Sequence, residues 1–97
     1  MLCVRGEVDL VTAGHLQEAI GAALRERPET LIVDLTNVNF LASAGMTVLI
    51  DCQRQAGGRT RFRVVASGHT TFRPMELVGV TEHVAIYPTM QAALAAD

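Results

Sequence analysis

The 97-residue chain carries 49% hydrophobic residues, enough for one modest core and too little chain for a second domain. Its formal charge is −2 and its eight basic residues, all Arg, are scattered, so the basic stripe of a nucleic-acid binder is missing; Arg54, Arg59, Arg61 and Arg63 read as a solvated face. No apolar run approaches the ~20 residues that span a bilayer and no leader pattern follows Met1, which predicts a cytoplasmic protein without direct membrane insertion.

Aromatic residues make up only 4%, so Val, Leu, Ile, Ala and Met must build the core, as they do where helices pack on a sheet. Residues 2–8 have strand character, with Leu2, Val4 and Val8 on one face and Gly6 at a point suited to a bulge. A chain that opens in a strand either lacks an edge strand or is a short version of its fold, and the edge left by a missing strand can pair with another chain. From Thr12, a plausible N-cap, the period changes: Leu16, Ala19, Ile20, Ala23 and Leu24 form one apolar stripe of a helix closed by Arg25, Arg27 and Pro28.

Residues 31–35, Leu-Ile-Val-Asp-Leu, are nearly all apolar and largely branched, the pattern of a central strand covered on both faces. A loop is expected over residues 36–42, then a helix over about 44–55, ended by Gly57 and Gly58. The alternation of Phe62, Val64 and Ala66 against Arg61, Arg63 and Val65 predicts a half-covered strand. Thr71 is placed to cap a short helix holding Pro74 in its first turn and stopping at Gly79. Residues 84–87 read as a last strand, and Thr89 as the cap of a terminal helix through Ala95. Strands alternating with helices imply a mainly parallel sheet, since parallel neighbours need crossovers.

Catalysis requires converging groups, and none assemble. His15, His69 and His83 belong to no metal-binding pattern, the two cysteines Cys3 and Cys52 lie far apart and read as small buried hydrophobes, and Gly57-Gly58 follows a helix instead of opening one. The chain is expected to have no catalytic residue, metal or cofactor. One position stands out: Ser43 lies where the second helix starts, and a helix N-terminus with its unpaired N–H groups stabilises an anion. Ser43 is therefore either an N-cap, a phosphoacceptor, or both.

These residues carry a resemblance. Gly6-Glu7-Val8-Asp9, Thr12-Ala13, the run 31–35, Phe40-Leu41-Ala42-Ser43-Ala44-Gly45-Met46, Gly57-Gly58, Gly79-Val80 and Tyr87-Pro88-Thr89 occur in the order seen in STAS domains of the anti-sigma-factor antagonist type. The similarity runs from Leu2 to Ala96 and implies one α/β STAS domain over 1–97, with a four- to five-stranded, mostly parallel or mixed sheet and about four helices. It implies a bacterial partner switch: the unphosphorylated antagonist binds an anti-sigma factor of the GHKL serine-kinase type, phosphorylation of a loop serine ends that binding, and a PP2C-type phosphatase restores it. Ser43 becomes the phosphoacceptor on this reading, and Asp9, Thr12, Asn37, Leu41, Ser43, Ala44, Gly45 and Met46 the partner-binding set. In the family pattern, Asp-Ser-Ser/Thr-Gly-Leu, an Asp precedes the acceptor and a hydroxyl residue follows it; here those places hold Ala42 and Ala44. These departures fit an alternative in which the domain is a non-switching scaffold or a subunit module of a transporter or stress-signalling assembly.

Overall fold

The structure, a computed structural model, describes residues 1–96. In chain order it runs β1 (Leu2–Val8), α1 (Leu10–Arg25), β2 (Thr30–Leu41), α2 (Ser43–Ala56), β3 (Arg61–Val65), α3 (Phe72–Leu77), a single 3₁₀ turn (Val80–Glu82), β4 (Ala85–Tyr87) and α4 (Met90–Ala95). The four strands form one sheet in the order β1-β2-β3-β4, every neighbouring pair parallel. Asp97 lies outside the described residues.

The sheet has two unequal covers. On one face α1 and α2 pack their apolar sides against Val33, Leu35, Phe62 and Val64, and Ile20, Leu35 and Leu49 are fully enclosed there. Each such side chain contributes about 1.5–3 kcal/mol of transfer free energy. On the other face the six-residue α4 covers a smaller cluster of Ile32, Val65 and Ala93, flanked by Tyr87 and Met90. Thr89 caps α4 as expected, its hydroxyl accepting from the Ala92 N–H at 3.0 Å.

That second cover corrects the reading of β3 as half-covered: Phe62 to Val65 are all buried. Arg63, expected on the open face, is only 5% exposed, and its guanidinium donates to the Ala93 carbonyl at 2.9 Å. A cation at the last turn of α4 meets the negative end of that helix, which offsets the cost of burying the charge. Alternation along β3 alone could not reveal this, because the helix supplying the partner comes some thirty residues later.

β2 is longer than the apolar run suggested. Pairing with β1 extends it through the segment expected to be a loop, up to Leu41, and two register shifts place the extra residues on β2. Asp34 assists by accepting from the backbone N–H and hydroxyl of Thr36. Gly6, at φ +77°, stands beside one of these shifts, as the bulge reading required.

Further expectations shift at element ends. α1 starts at Leu10 with Asp9 as N-cap, not Thr12; α2 starts at Ser43 with Ala42 as N-cap. Thr71 precedes α3, but its hydroxyl donates to the Ser67 carbonyl and caps nothing. Of the α1 stripe, Leu16, Ile20 and Leu24 are buried while Ala19 is exposed. Cys52 is buried as expected; Cys3 is exposed, because it lies on the face of β1 away from α1 and α2.

Candidate functional site

In parallel sheets the carboxyl ends of the strands open toward the loops that start the next helices, and side chains gather there. At this end of β1 and β2 the chain brings together most of the residues singled out by sequence. Val8 ends β1 opposite Leu41, and the Val8 carbonyl accepts from the Ala42 N–H at 2.8 Å, tying the start of α2 to the end of β1.

Asp9, the next residue, closes α1. Its carboxylate accepts from the N–H groups of Val11 and Thr12 at 3.0 and 2.9 Å, and the Thr12 hydroxyl accepts from the Asp9 N–H at 2.8 Å. The Thr12 hydroxyl proton is offered to the Glu7 carbonyl and the Asp9 carboxylate. This reciprocal box satisfies the donors of the first turn. Hydrogen bonds, first that from the Thr12 backbone, hold the Asp9 carboxyl below its ordinary value.

The start of α2 differs. Ala42 offers no side-chain acceptor, and its carbonyl takes only the Gly45 and Met46 N–H groups, at 3.0 and 3.3 Å. Ser43 is the first helical residue, exposed, with its carbonyl accepting from the Thr47 hydroxyl at 3.1 Å. Since Ser43 lies one position inside the cap, its hydroxyl is free of the capping role that the sequence left open. The positive end of a fourteen-residue helix thus lies beside an exposed hydroxyl.

Gly45 sets how closely α2 approaches. A Cβ at this position would stand 2.5 Å from Val8 Cγ1 and 2.9 Å from Leu41 Cδ1, so only glycine lets the helix rest on the two strand ends. Leu41, Gly45 and Met46 are buried, whereas Ser43 and Asn37 are exposed and Asp9, Thr12 and Ala44 lie between. The residues expected to contact a partner therefore separate into a rim and a floor: Leu41, Gly45 and Met46 fix the position of the loop from below and offer little side-chain surface.

Sequence reasoning missed the apolar part of the rim. Leu10 is 81% exposed, Val11 75% and Phe40 51%. Leu10 and Val11 follow the Asp9 cap, and Phe40, paired with Glu7, lies three residues before Ser43. The available signal was their mismatch with period: Leu10 and Val11 precede the apolar stripe of α1. Leu77, Val78 and Leu94 are exposed to a similar degree away from this end of the sheet.

His15, His69 and His83 are exposed and separate, and the described residues include no group of three or more His, Cys, Asp or Glu side chains suited to a metal. Among the described residues no helix is long and apolar enough to cross a membrane.

Comparison with known proteins gives a consistent result. The model of the STAS domain family matches residues 1–93. The anti-sigma-F factor antagonist RsfB of Mycobacterium tuberculosis is 38% identical over 94 residues, covering 97% of this chain and 77% of that protein. The crystal structure of an anti-sigma factor antagonist from Mycobacterium paratuberculosis superposes with a TM-score of 0.90 at 42% identity, over 95% of this chain and 79% of the other. The anti-sigma factor antagonist SpoIIAA in its unphosphorylated form shares the fold at a TM-score of 0.71 and 15% identity, over 95% of this chain and 81% of that one.

Proposed function

The chain belongs to the STAS domain family, and on that premise we propose that it is an anti-sigma-factor antagonist, a single domain over 1–97 working in the cytoplasm by partner switching. Its similarity to the two mycobacterial antagonists supports the first part of this reading. The partner is an anti-sigma factor of the GHKL serine-kinase type, docked on the rim formed by Asp9, Thr12, Asn37, Ala44 and the exposed Leu10, Val11 and Phe40, with Leu41, Gly45 and Met46 as the floor.

The observation that carries the switch is the exposed Ser43 hydroxyl at the uncapped start of α2. In the kinase complex the Ser43 oxygen attacks the γ-phosphorus of ATP, loses its proton, and ADP departs with the bridging oxygen. The resulting phosphoserine adds about −1.5 to −2 charge at neutral pH in the contact surface. The free N–H groups of α2 hold that charge on this chain, while an apolar partner surface loses its fit. A PP2C-type phosphatase returns the hydroxyl by hydrolysis. This chain is the substrate of both reactions and catalyses neither.

Ser43→Glu is expected to abolish binding to the cognate kinase and Ser43→Ala to keep it, measured by calorimetry; equal affinities would sink the switch. Intact-mass analysis after incubation with the kinase and ATP should show one phosphoryl group, mapping to Ser43. Ala42 and Ala44, where the family pattern has Asp and a hydroxyl residue, favour a second reading as a non-switching scaffold or transporter-associated module. It predicts an unmodified Ser43 with a kinase that is active on another antagonist.

A further inference from the structure

At the amino end of β3, the opposite end of the sheet from Ser43, a cavity of about 610 Å³ opens between the carboxyl end of α2 and strands β3 and β4. Three arginines line it, Arg59, Arg61 and Arg63, together with Thr60 and Tyr87. Arg61 and Arg63 stand two residues apart and so share a face of β3, while Arg59 precedes the strand. The neighbour of Arg63 on β4 is Ala85, whose small side chain leaves the guanidinium open to the cavity.

Arg63 is set apart by its burial. Only 5% of it is exposed, yet among the described residues its guanidinium has one acceptor, the Ala93 carbonyl, and no carboxylate within 4 Å. A guanidinium carries five N–H donors, and a buried charge is costly unless paired, so one carbonyl dipole meets a small part of its need. Among the described residues no side-chain nitrogen sealed from solvent lacks a partner, so the remaining nitrogens of Arg63 are reached from the cavity. Arg59 and Arg61 are exposed and have no acidic partner either; among the described residues the arginines that do are Arg54, with Asp51, and Arg73, with Glu76. Glu29 and the carboxyl end of α2 are the negative groups at the cavity. Three guanidiniums against one carboxylate leave two positive charges in excess.

We propose that this cavity binds the phosphate group of a small soluble phosphate ester or diphosphate, with Arg63 as its deepest contact and Arg59 and Arg61 at the rim. A phosphate monoester carries about −1.5 to −2 charge at neutral pH, which matches the excess, whereas a lone carboxylate supplies half of it. The planar fork of each guanidinium fits phosphate oxygens bidentately. A cavity of this volume takes more than the phosphate, and Phe62, Ala85 and Tyr87 offer apolar contact to the rest of the molecule. The recessed position of Arg63 favours a single soluble ion over a lipid surface, since a flat surface would meet Arg59 and Arg61 without reaching Arg63. Neither Ser43 nor the partner rim takes part, so occupancy does not depend on the partner switch.

The test titrates pyrophosphate into the whole chain at about 0.15 M salt, where attraction between exposed charges is screened, and follows backbone amide shifts. Saturable binding is expected, with shifts at residues 59–63 and 85–87 and none at Ser43. Arg61→Glu, a change of an exposed side chain, should weaken binding about tenfold or more, and Arg63→Met should weaken it further. Because Arg63 also docks α4, the amide spectrum of its variant shows whether that helix stays in place, and Arg61→Glu carries the test where it does not. No saturable shift at millimolar pyrophosphate overturns the proposal. So does binding that Arg61→Glu leaves unchanged, a set of shifts centred elsewhere, or capture of the chain by phosphatidylglycerol vesicles when pyrophosphate does not bind.

Discussion

Two helices start side by side at the carboxyl end of this sheet, and they are finished in opposite ways. α1 is closed by Asp9, whose carboxylate takes two backbone N–H groups while Thr12 returns the bond. α2 follows Ala42, which takes none with a side chain. The same strand end anchors both, since Asp9 follows Val8 and the Val8 carbonyl holds Ala42. The contrast separates two uses of one electrostatic fact. A permanent carboxylate at α1 fixes structure, while α2 starts with no side-chain cap beside an exposed serine, and its terminus keeps the electrostatic preference for an anion unused.

The strongest way to break the comparison is to dislodge α2 from the shared strand end. Gly45→Ala forces a methyl against Val8 and Leu41, and overpacking of this kind costs about 1–3 kcal/mol, to be read from urea denaturation. Removing the closed terminus comes next. Asp9→Ala should lower stability in the same assay by less than Gly45→Ala does, as loss of an N-cap does.

Acid sharpens that second result. The Asp9 carboxyl is held below its ordinary 3.8, so its contribution is present above that pH and disappears as pH falls through the lower value of the folded chain. The stability gap between the parent and Asp9→Ala should therefore close under acid conditions and stay constant from pH 5 to neutrality, on the order of the cap's full value. A gap that persists at the lowest pH at which the chain stays folded would rule out the carboxylate as its source.

Making α2 resemble α1 is a smaller perturbation. Ala42→Asp should add up to about 1 kcal/mol by supplying the missing cap, read from the same urea denaturation. Least disruptive is a comparison of the two thiols. Burial pushes the Cys52 thiol up to about 11, while Cys3 is exposed. A thiol reagent near neutral pH should titrate one cysteine in the folded chain and the second only on unfolding.

What the sequence made legible follows from the range of the forces involved. The strands and helices, the parallel arrangement and the bulge at Gly6 are encoded in local period and in residues with special backbone freedom. The place of Ser43 at the start of α2 could be read from the change of period, whereas its lying one position inside the cap could not. The capping residues were displaced because Asp9 and Thr12 both suit an N-cap, and only the end of β1 decides between them. Strand character in residues 36–41 was hidden because Thr36, Asn37 and Asn39 favour turns in isolation, and pairing with β1 overrides them. Exposure of Leu10, Val11 and Phe40, and burial of Arg63, depend on which elements arrive overhead, which no window of neighbours reports.

The attachment of α4 also bears on how the chain is made. β2 and β3 leave the ribosome before α4 does, and until that helix docks through Arg63 the surface of Ile32 and Val65 is open to water and to other nascent chains. The last element to be synthesised is thus the one that covers the back of the sheet, so a chain truncated before α4 would leave Ile32, Val65 and the Arg63 guanidinium without their cover.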